Sequence, residues 1–357
     1  MKLNIIKNRY TYFAISGLLL VISLFTFLFW NLNYGIDMTW GTQAEYKYKI
    51  DNIELDKLRE KLISESKKVV YNNKEMINSI SVIKVSSENK ISVVTWYNSI
   101  ILKEADLEIL KTDSKIIETK ISWEILSKLK TEFREKTLEI LKFYDKDLEE
   151  DSYTNIGKSF GDYIKNTAIT TLIIAIIAIA IYVAYAFSWV ATGISVTSFA
   201  IITIVTLFHD VLASTGLYMI ASNFFPEFKI DTFFITALLT ILGYSINDTI
   251  VVFDRIRSNI KKLIKKKTLS EIIEISIKDT LRRSIFTSLT LFFVLLTVFF
   301  FWPEAIKGFI LAMLLGTIIG TYSSIFIASP LLFEFNKNKK LSEYKEKVYN
   351  AEDKIVV

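Results

Sequence analysis

Apolar positions along this chain follow two regimes. Near the start and through most of the second half they run on for twenty or more residues; between about 31 and 165 they alternate with charges. Runs of about 20 apolar residues read as membrane-spanning helices. The first extends from about Tyr10 to Trp30, behind Lys2, Lys7 and Arg9. The bulky Phe29-Trp30-Asn31-Leu32 offers no small-residue cleavage site, so this run reads as an uncleaved span and not a secretory signal. No charged side chain occurs from Thr167 to Phe208, which is too long for one span. A break at Ser188–Ser195 divides it, and the third span continues through His209-Asp210 to about Ala221. After a turn at Asn223–Asp231, span four starts near Thr232. Span five covers about Ser284–Phe301 and span six about Gly308–Phe333, meeting at Trp302-Pro303-Glu304.

The alternating region reads as a small α+β domain. Tyr46, Tyr48 and Ile50 interleave with Glu45, Lys47 and Lys49, the period of a half-buried strand. Leu55, Leu58, Leu62 and Val69 recur at near-helical spacing after Asp51 and Asn52, either of which suits a helix cap. Ser79–Ser86 and Ile91–Tyr97 predict a hairpin about Glu88-Asn89. Strands at Ser114–Ile121 and Thr137–Phe143 are predicted around a helix near Trp123–Arg134, and 99–120 reads as an insertion. The order β-α-β-β then α-β fits a ferredoxin-like domain. The predicted architecture is thus a multi-pass α-helical membrane protein: six transmembrane helices with one external ferredoxin-like α+β domain between helices one and two. Its segments are 1–30, 31–165, 166–335 and a tail, 336–357.

Charge sets the expected orientation. The loop 254–283 holds ten Lys or Arg against four acids, and the tail is rich in lysine. Both belong on the cytoplasmic side by the positive-inside tendency, with both termini inside and the domain outside. The basic loop is a surface for anionic lipid more simply than for nucleic acid. Zero cysteines exclude disulfides and thiolate chemistry, and a single histidine excludes a His-rich metal centre. Neither a phosphate-binding Gly-rich loop nor an HExxH pattern is present.

Polar residues inside the spans are where chemistry is expected, because an ionised group in hydrocarbon costs several kcal/mol or more. Asp248 lies six residues before Asp254, roughly 9 Å inside that polar end. Tyr244 and Ser245 share its face, so the reading is a carboxylate that gains and loses a cation; the alternative is an interhelical hydrogen bond that only holds the bundle. Asn247 beside it divides evenly between the two roles. His209-Asp210 is a second buried pair, with Asp210 on one face with Thr203, Thr206 and Ser214. His209 is either a relay or a packing residue. Arg283, with Thr287 and Thr290 on roughly its face, starts span five as either a functional cation or a positive-inside anchor; an anchor suffices for Arg282. Ala312, Gly316, Gly320, Ser324 and Ala328, spaced by four, form a small-residue seam for close helix packing.

Several of these segments resemble one family. GYSINDTIVVFDRIRSN (243–259) is similar to the fourth transmembrane helix of SecF, a subunit of the bacterial protein-export machinery. Gly35-Ile36-Asp37-Met38-Thr39-Trp40-Gly41 resembles that family's GIDFTGG, with Trp40 in place of a glycine. Leu281–Ser288 resembles its TLSRTIxTS, with Arg282 in place of a serine and Arg283 matching its arginine. Gly320–Ala328 resembles its GTYSSIYIA, the His209-Asp210-Val211 triplet its HDV, and Gly157-Lys158 part of its PTVGKEL, without the proline.

The resemblance implies a subunit in the bacterial cell membrane, of the superfamily of proton-driven exporters, that pairs with SecD and assists export of unfolded polypeptide through SecYEG. It implies an ion pathway through Asp248, with Arg283, Asn247 and Asp210 as further members, and no cofactor beyond the transported H⁺ or Na⁺. An enzyme is not expected. The alternatives are a small-solute exporter of that superfamily, a scaffold without ion flux, and an intramembrane aspartyl protease using Asp210 and Asp248. The protease lacks its YD and GxGD signatures, since Asp248 sits in Ser-Ile-Asn-Asp.

Overall fold

The computed structural model describes residues 4–30, 32–49, 54–71, 74–85, 89–97, 115–188, 194–225, 227–301 and 306–338. Six helical segments among them are long and apolar enough to cross a membrane. Span one is α1 (Arg9–Phe29). After the sheet domain come α4 (Lys158–Ser188), α5 (Val196–Phe224), α6 (Thr232–Leu263) and α7 (Leu269–Phe301). Span six is composite: α8 (Lys307–Ser323), a π-helical turn (Ser324–Ala328) and α9 (Ser329–Asn336).

Burial sorts these helices. About half of the apolar windows of α5 and α6, and 67 % of span six, are buried, against 11–17 % for α1, α4 and α7. Where the inner helices meet, small residues let the backbones approach closely. Gly316 lies against α6 so tightly that a Cβ there would fall 2.2 Å from Ile241, and one on Gly320 would fall 2.9 Å from the Ser245 Cβ. The seam at four-residue spacing is therefore where span six meets span four.

The domain between spans one and two contains β1 (Gly41–Lys47), α2 (Leu55–Ser66), a minor hairpin of β2 (Val70–Tyr71) and β3 (Lys74–Glu75), then β4 (Ile77–Val85), β5 (Lys90–Tyr97), α3 (Lys115–Tyr144) and β6 (Glu149–Ile156). The four long strands form an antiparallel sheet ordered β4-β5-β1-β6, the split β-α-β plan of the ferredoxin-like fold. Tyr46, Leu58, Leu62, Ile91 and Leu141 are buried between sheet and helices.

Three expectations need correction. The strands predicted within 114–121 and at 137–143 belong, from Lys115 onward, to the single helix α3, because Phe133, Thr137, Ile140 and Leu141 bury one face at helical spacing. The last strand is instead β6, a polar edge strand that the β1 ladder recruits although its sequence, EEDSYTNI, carries little strand propensity. The N-cap of α2 is Glu54, not Asp51 or Asn52, which lie outside the described residues. Also outside them are most of the insertion at 99–120, the Trp302-Pro303-Glu304 turn and the tail beyond 338.

Candidate functional site

The two buried acids of the bundle sit on adjacent helices and are held by hydroxyls. Asp210, on α5, is fully buried. It accepts from Ser245 of α6, from Ser323 of α8 at 2.8 Å, and lies 2.9 Å from Nδ1 of His209. That last bond requires the His209 proton on Nδ1 when the carboxylate is ionised. Nε2 of His209 is buried without a partner among the described residues.

Asp248, on α6, is 8 % exposed. Ser284 of α7 donates to its Oδ1 at 2.5 Å, and Ser324 of the π turn donates to its Oδ2 at 2.6 Å. Beyond it runs a chain of hydroxyls: Tyr244 (2.7 Å) and Thr321 (2.6 Å) both donate to Ser288, which donates to the Ser284 carbonyl at 2.8 Å. Two neighbouring residues of span six thus serve the two acids, Ser323 for Asp210 and Ser324 for Asp248.

The π turn begins at the second of these serines. A π-helical turn adds one residue to the α repeat and is frequent at functional sites. Here Pro330 follows closely, and a proline inside a helix removes one backbone donor and collides with the carbonyl four residues earlier. Within the same turn the Ser329 hydroxyl donates to the Ser324 carbonyl at 3.3 Å. Pro330 is the signal that locates this irregularity in the sequence; the reading above did not use it. Ser245, expected on the face of Asp248, instead donates to Asp210, and Ser284 and Ser323 carried no signal of their own, because a lone serine in an apolar run is common and its role depends on which helix lies opposite.

The other candidates face elsewhere. Asn247 is exposed on α6, beside an exposed Gly243 and Thr240. Arg283, Thr287 and Thr290 are exposed on α7, and no ion pair joins Arg283 to Asp248 among the described residues. Its neighbour Ser284 faces the carboxylate instead, about 100° further round the helix. The polar positions of α6 and α7 therefore divide between an inward set that binds the acids and an outward set at membrane depth.

The start of α6 is tied to the root of the sheet domain. Asp37 accepts from the backbone N–H of Thr232 at 2.6 Å and from its hydroxyl. Gly35 N–H donates to the Ile230 carbonyl at 2.9 Å, and Ile230 N–H donates to Asn33 at 2.8 Å. Asp231 caps the helix by accepting from Phe234 N–H at 2.8 Å. Burial, with a contribution from the charge of Asp37, pushes the Asp231 carboxyl up to about 6. In the same motif Trp40 packs 6.0 Å from the Tyr97 ring. Gly41 opens β1 where a Cβ would fall 2.3 Å from the Thr95 carbonyl oxygen, so this second glycine is the one the strand requires.

The six-span bundle with a ferredoxin-like domain inserted after its first helix has the fold of the SecD/SecF export membrane proteins. The family model described as protein export membrane protein SecD/SecF, C-terminal, matches residues 136–338. Protein translocase subunit SecF of Endomicrobium trichonymphae is 31 % identical over 342 residues, 95 % of this chain and 94 % of that one. SecF of Helicobacter pylori is 41 % identical over 212 residues, 58 % of this chain and 61 % of that one. The crystal structure of SecDF, a translocon-associated membrane protein from Thermus thermophilus, superposes with a TM-score of 0.69 at 26 % identity over 94 % of this chain, which spans 39 % of that longer one. The chain belongs to the SecF family of protein translocase subunits.

Proposed function

We propose that this subunit uses the transmembrane ion gradient to assist export of unfolded polypeptides through the SecYEG channel, in complex with a SecD partner. The single observation that carries this reading is the state of Asp248: a carboxylate within a span, held by two neutral hydroxyls and, among the described residues, by no fixed cation. A neutral cage lets a proton or Na⁺ take the place that a permanent salt bridge would occupy. The outward-facing Asn247 and Arg283 support pairing with a second polytopic half, since an amide and a cation at this depth require protein or water against them.

The basic loop 254–283 supports an orientation with both termini and that loop in the cytoplasm and the sheet domain outside. In that orientation α6 connects the ion site to the outer domain. About sixteen residues, roughly 24 Å of helix, separate Asp248 from the Asp37–Thr232 bonds, so a displacement of α6 is delivered to the root of the sheet.

Asp248→Asn keeps the shape and removes the titration. With partner and channel reconstituted, gradient-driven export and ion flux should both fall by an order of magnitude or more, while assembly with SecD is retained. Undiminished export in that variant would leave only a scaffold.

A further inference from the structure

A groove of about 530 Å³ lies on the outer flank of α7, closed behind by span six and at one end by the segment before α1. It runs from Ile5 and Leu281 at the basic end to Phe292. Eleven residues of helix separate Leu281 from Phe292, roughly 16 Å, or about half of a ~30 Å hydrocarbon core. Its depth is that of one leaflet.

The wall offers nothing to a polar solute. Each hydroxyl lining it already has an acceptor: Ser288 on the Ser284 carbonyl at 2.8 Å, Thr317 on Met313 at 2.8 Å, Thr321 on Ser288 at 2.6 Å and Tyr322 on Tyr12 at 3.1 Å. The mouth, in contrast, is cationic. Lys278 and Arg282 are exposed on the flank of α7 beside Leu281 and have no acidic partner among the described residues; Arg282 rests over the Phe286 ring at 5.4 Å. The nearby acids are committed, Asp279 to Arg255 at 2.6 Å and Glu274 to the Ile6 N–H at 2.6 Å.

We propose that this groove holds one acyl chain of an anionic glycerophospholipid, with its phosphate on Lys278 and Arg282. An apolar slot one leaflet deep fits a lipid tail, and two unpaired cations at its mouth select the anionic headgroup. The tail covers Thr321 and Ser288, the outer members of the hydroxyl chain leading to Asp248, and so closes this flank of the site to water. That consequence rests on Asp248 carrying the ion; the binding itself does not.

The test uses the full chain with its SecD partner, in nanodiscs of phosphatidylcholine and phosphatidylglycerol, with retained lipids counted by native mass spectrometry. One phosphatidylglycerol should be retained in about tenfold preference over phosphatidylcholine. Lys278→Gln with Arg282→Gln, both at the surface, should abolish the preference while a lipid is still retained. Leu289→Trp, which fills the groove, should remove the lipid. Asp248→Asn should leave retention unchanged, so that failure of ion coupling and failure of the lipid site are separable. Equal retention of the two lipids by the wild type would overturn the proposal. Retention indifferent to Leu289→Trp, or lost whenever the partner is bound, would do the same, assigning the lipid to the general annulus or the groove to a partner helix.

Discussion

Asp210 and Asp248 occupy the same bundle and share a chemistry of serine ligands, yet their surroundings differ. Asp210 is sealed, with bonds from three residues on two other helices and its own neighbour His209. Asp248 has two hydroxyls and keeps 8 % of its surface open. Each further donor makes a carboxylate costlier to neutralise, and each buried donor left without its acceptor costs about 1–3 kcal/mol. The difference between the pair is one of coordination: Asp210 accepts from three side chains and Asp248 from two, which is the contrast the proposed function draws on.

The largest expected effect separates the two directly. Asp210→Asn turns an acceptor into a donor facing other donors and should lower bundle stability by about 1–3 kcal/mol, read as a fall in the midpoint of thermal unfolding in detergent. Asp248→Asn should leave that midpoint nearly unchanged while gradient-driven transport is lost. A reversed pattern would break the contrast. Next, Gly316→Ala forces a methyl onto Ile241, 2.2 Å away as built, and should destabilise the packing of span six on span four by about 1–3 kcal/mol.

A smaller effect tests the neighbouring serines. Ser324→Ala removes one of two bonds to Asp248, and Ser323→Ala one of three to Asp210; at about 1 kcal/mol per bond, the former should change transport about fivefold and the latter chiefly stability. Equal transport phenotypes would show that the two acids work as one unit. The smallest effect concerns a third carboxylate, at the mouth of α6. Burial holds the Asp231 carboxyl at about 6, so the folded chain keeps a proton that the unfolded chain releases near 4. Its contribution is therefore fully present below about pH 4 and is lost as the pH rises through 6. Hydrogen exchange of the first turn of α6, corrected for intrinsic rates, should show protection falling across that window, and Asp231→Asn should flatten it.

Much of this was legible without coordinates. Six spans, their approximate bounds, the β-α-β-β start of the domain and the buried faces of Asp210 and Asp248 follow from apolar run length, periodicity and the cost of charge in lipid. Those are local properties, so the sequence by itself determined them. The helix α3 and strand β6 were misread, because a polar edge strand is specified by the ladder that recruits it and not by its own residues. Arg283 and Asn247 were expected beside Asp248, yet both face outward, since neighbouring residues on a helix point about 100° apart and one position decides the partner. Which serines reach which acid, and where span six leaves the α-helical repeat, only the tertiary structure decided. The physical reason is that a hydroxyl in a membrane helix can always satisfy itself on its own backbone; whether it binds a carboxylate instead depends on what the packing of four helices places within 3 Å of it.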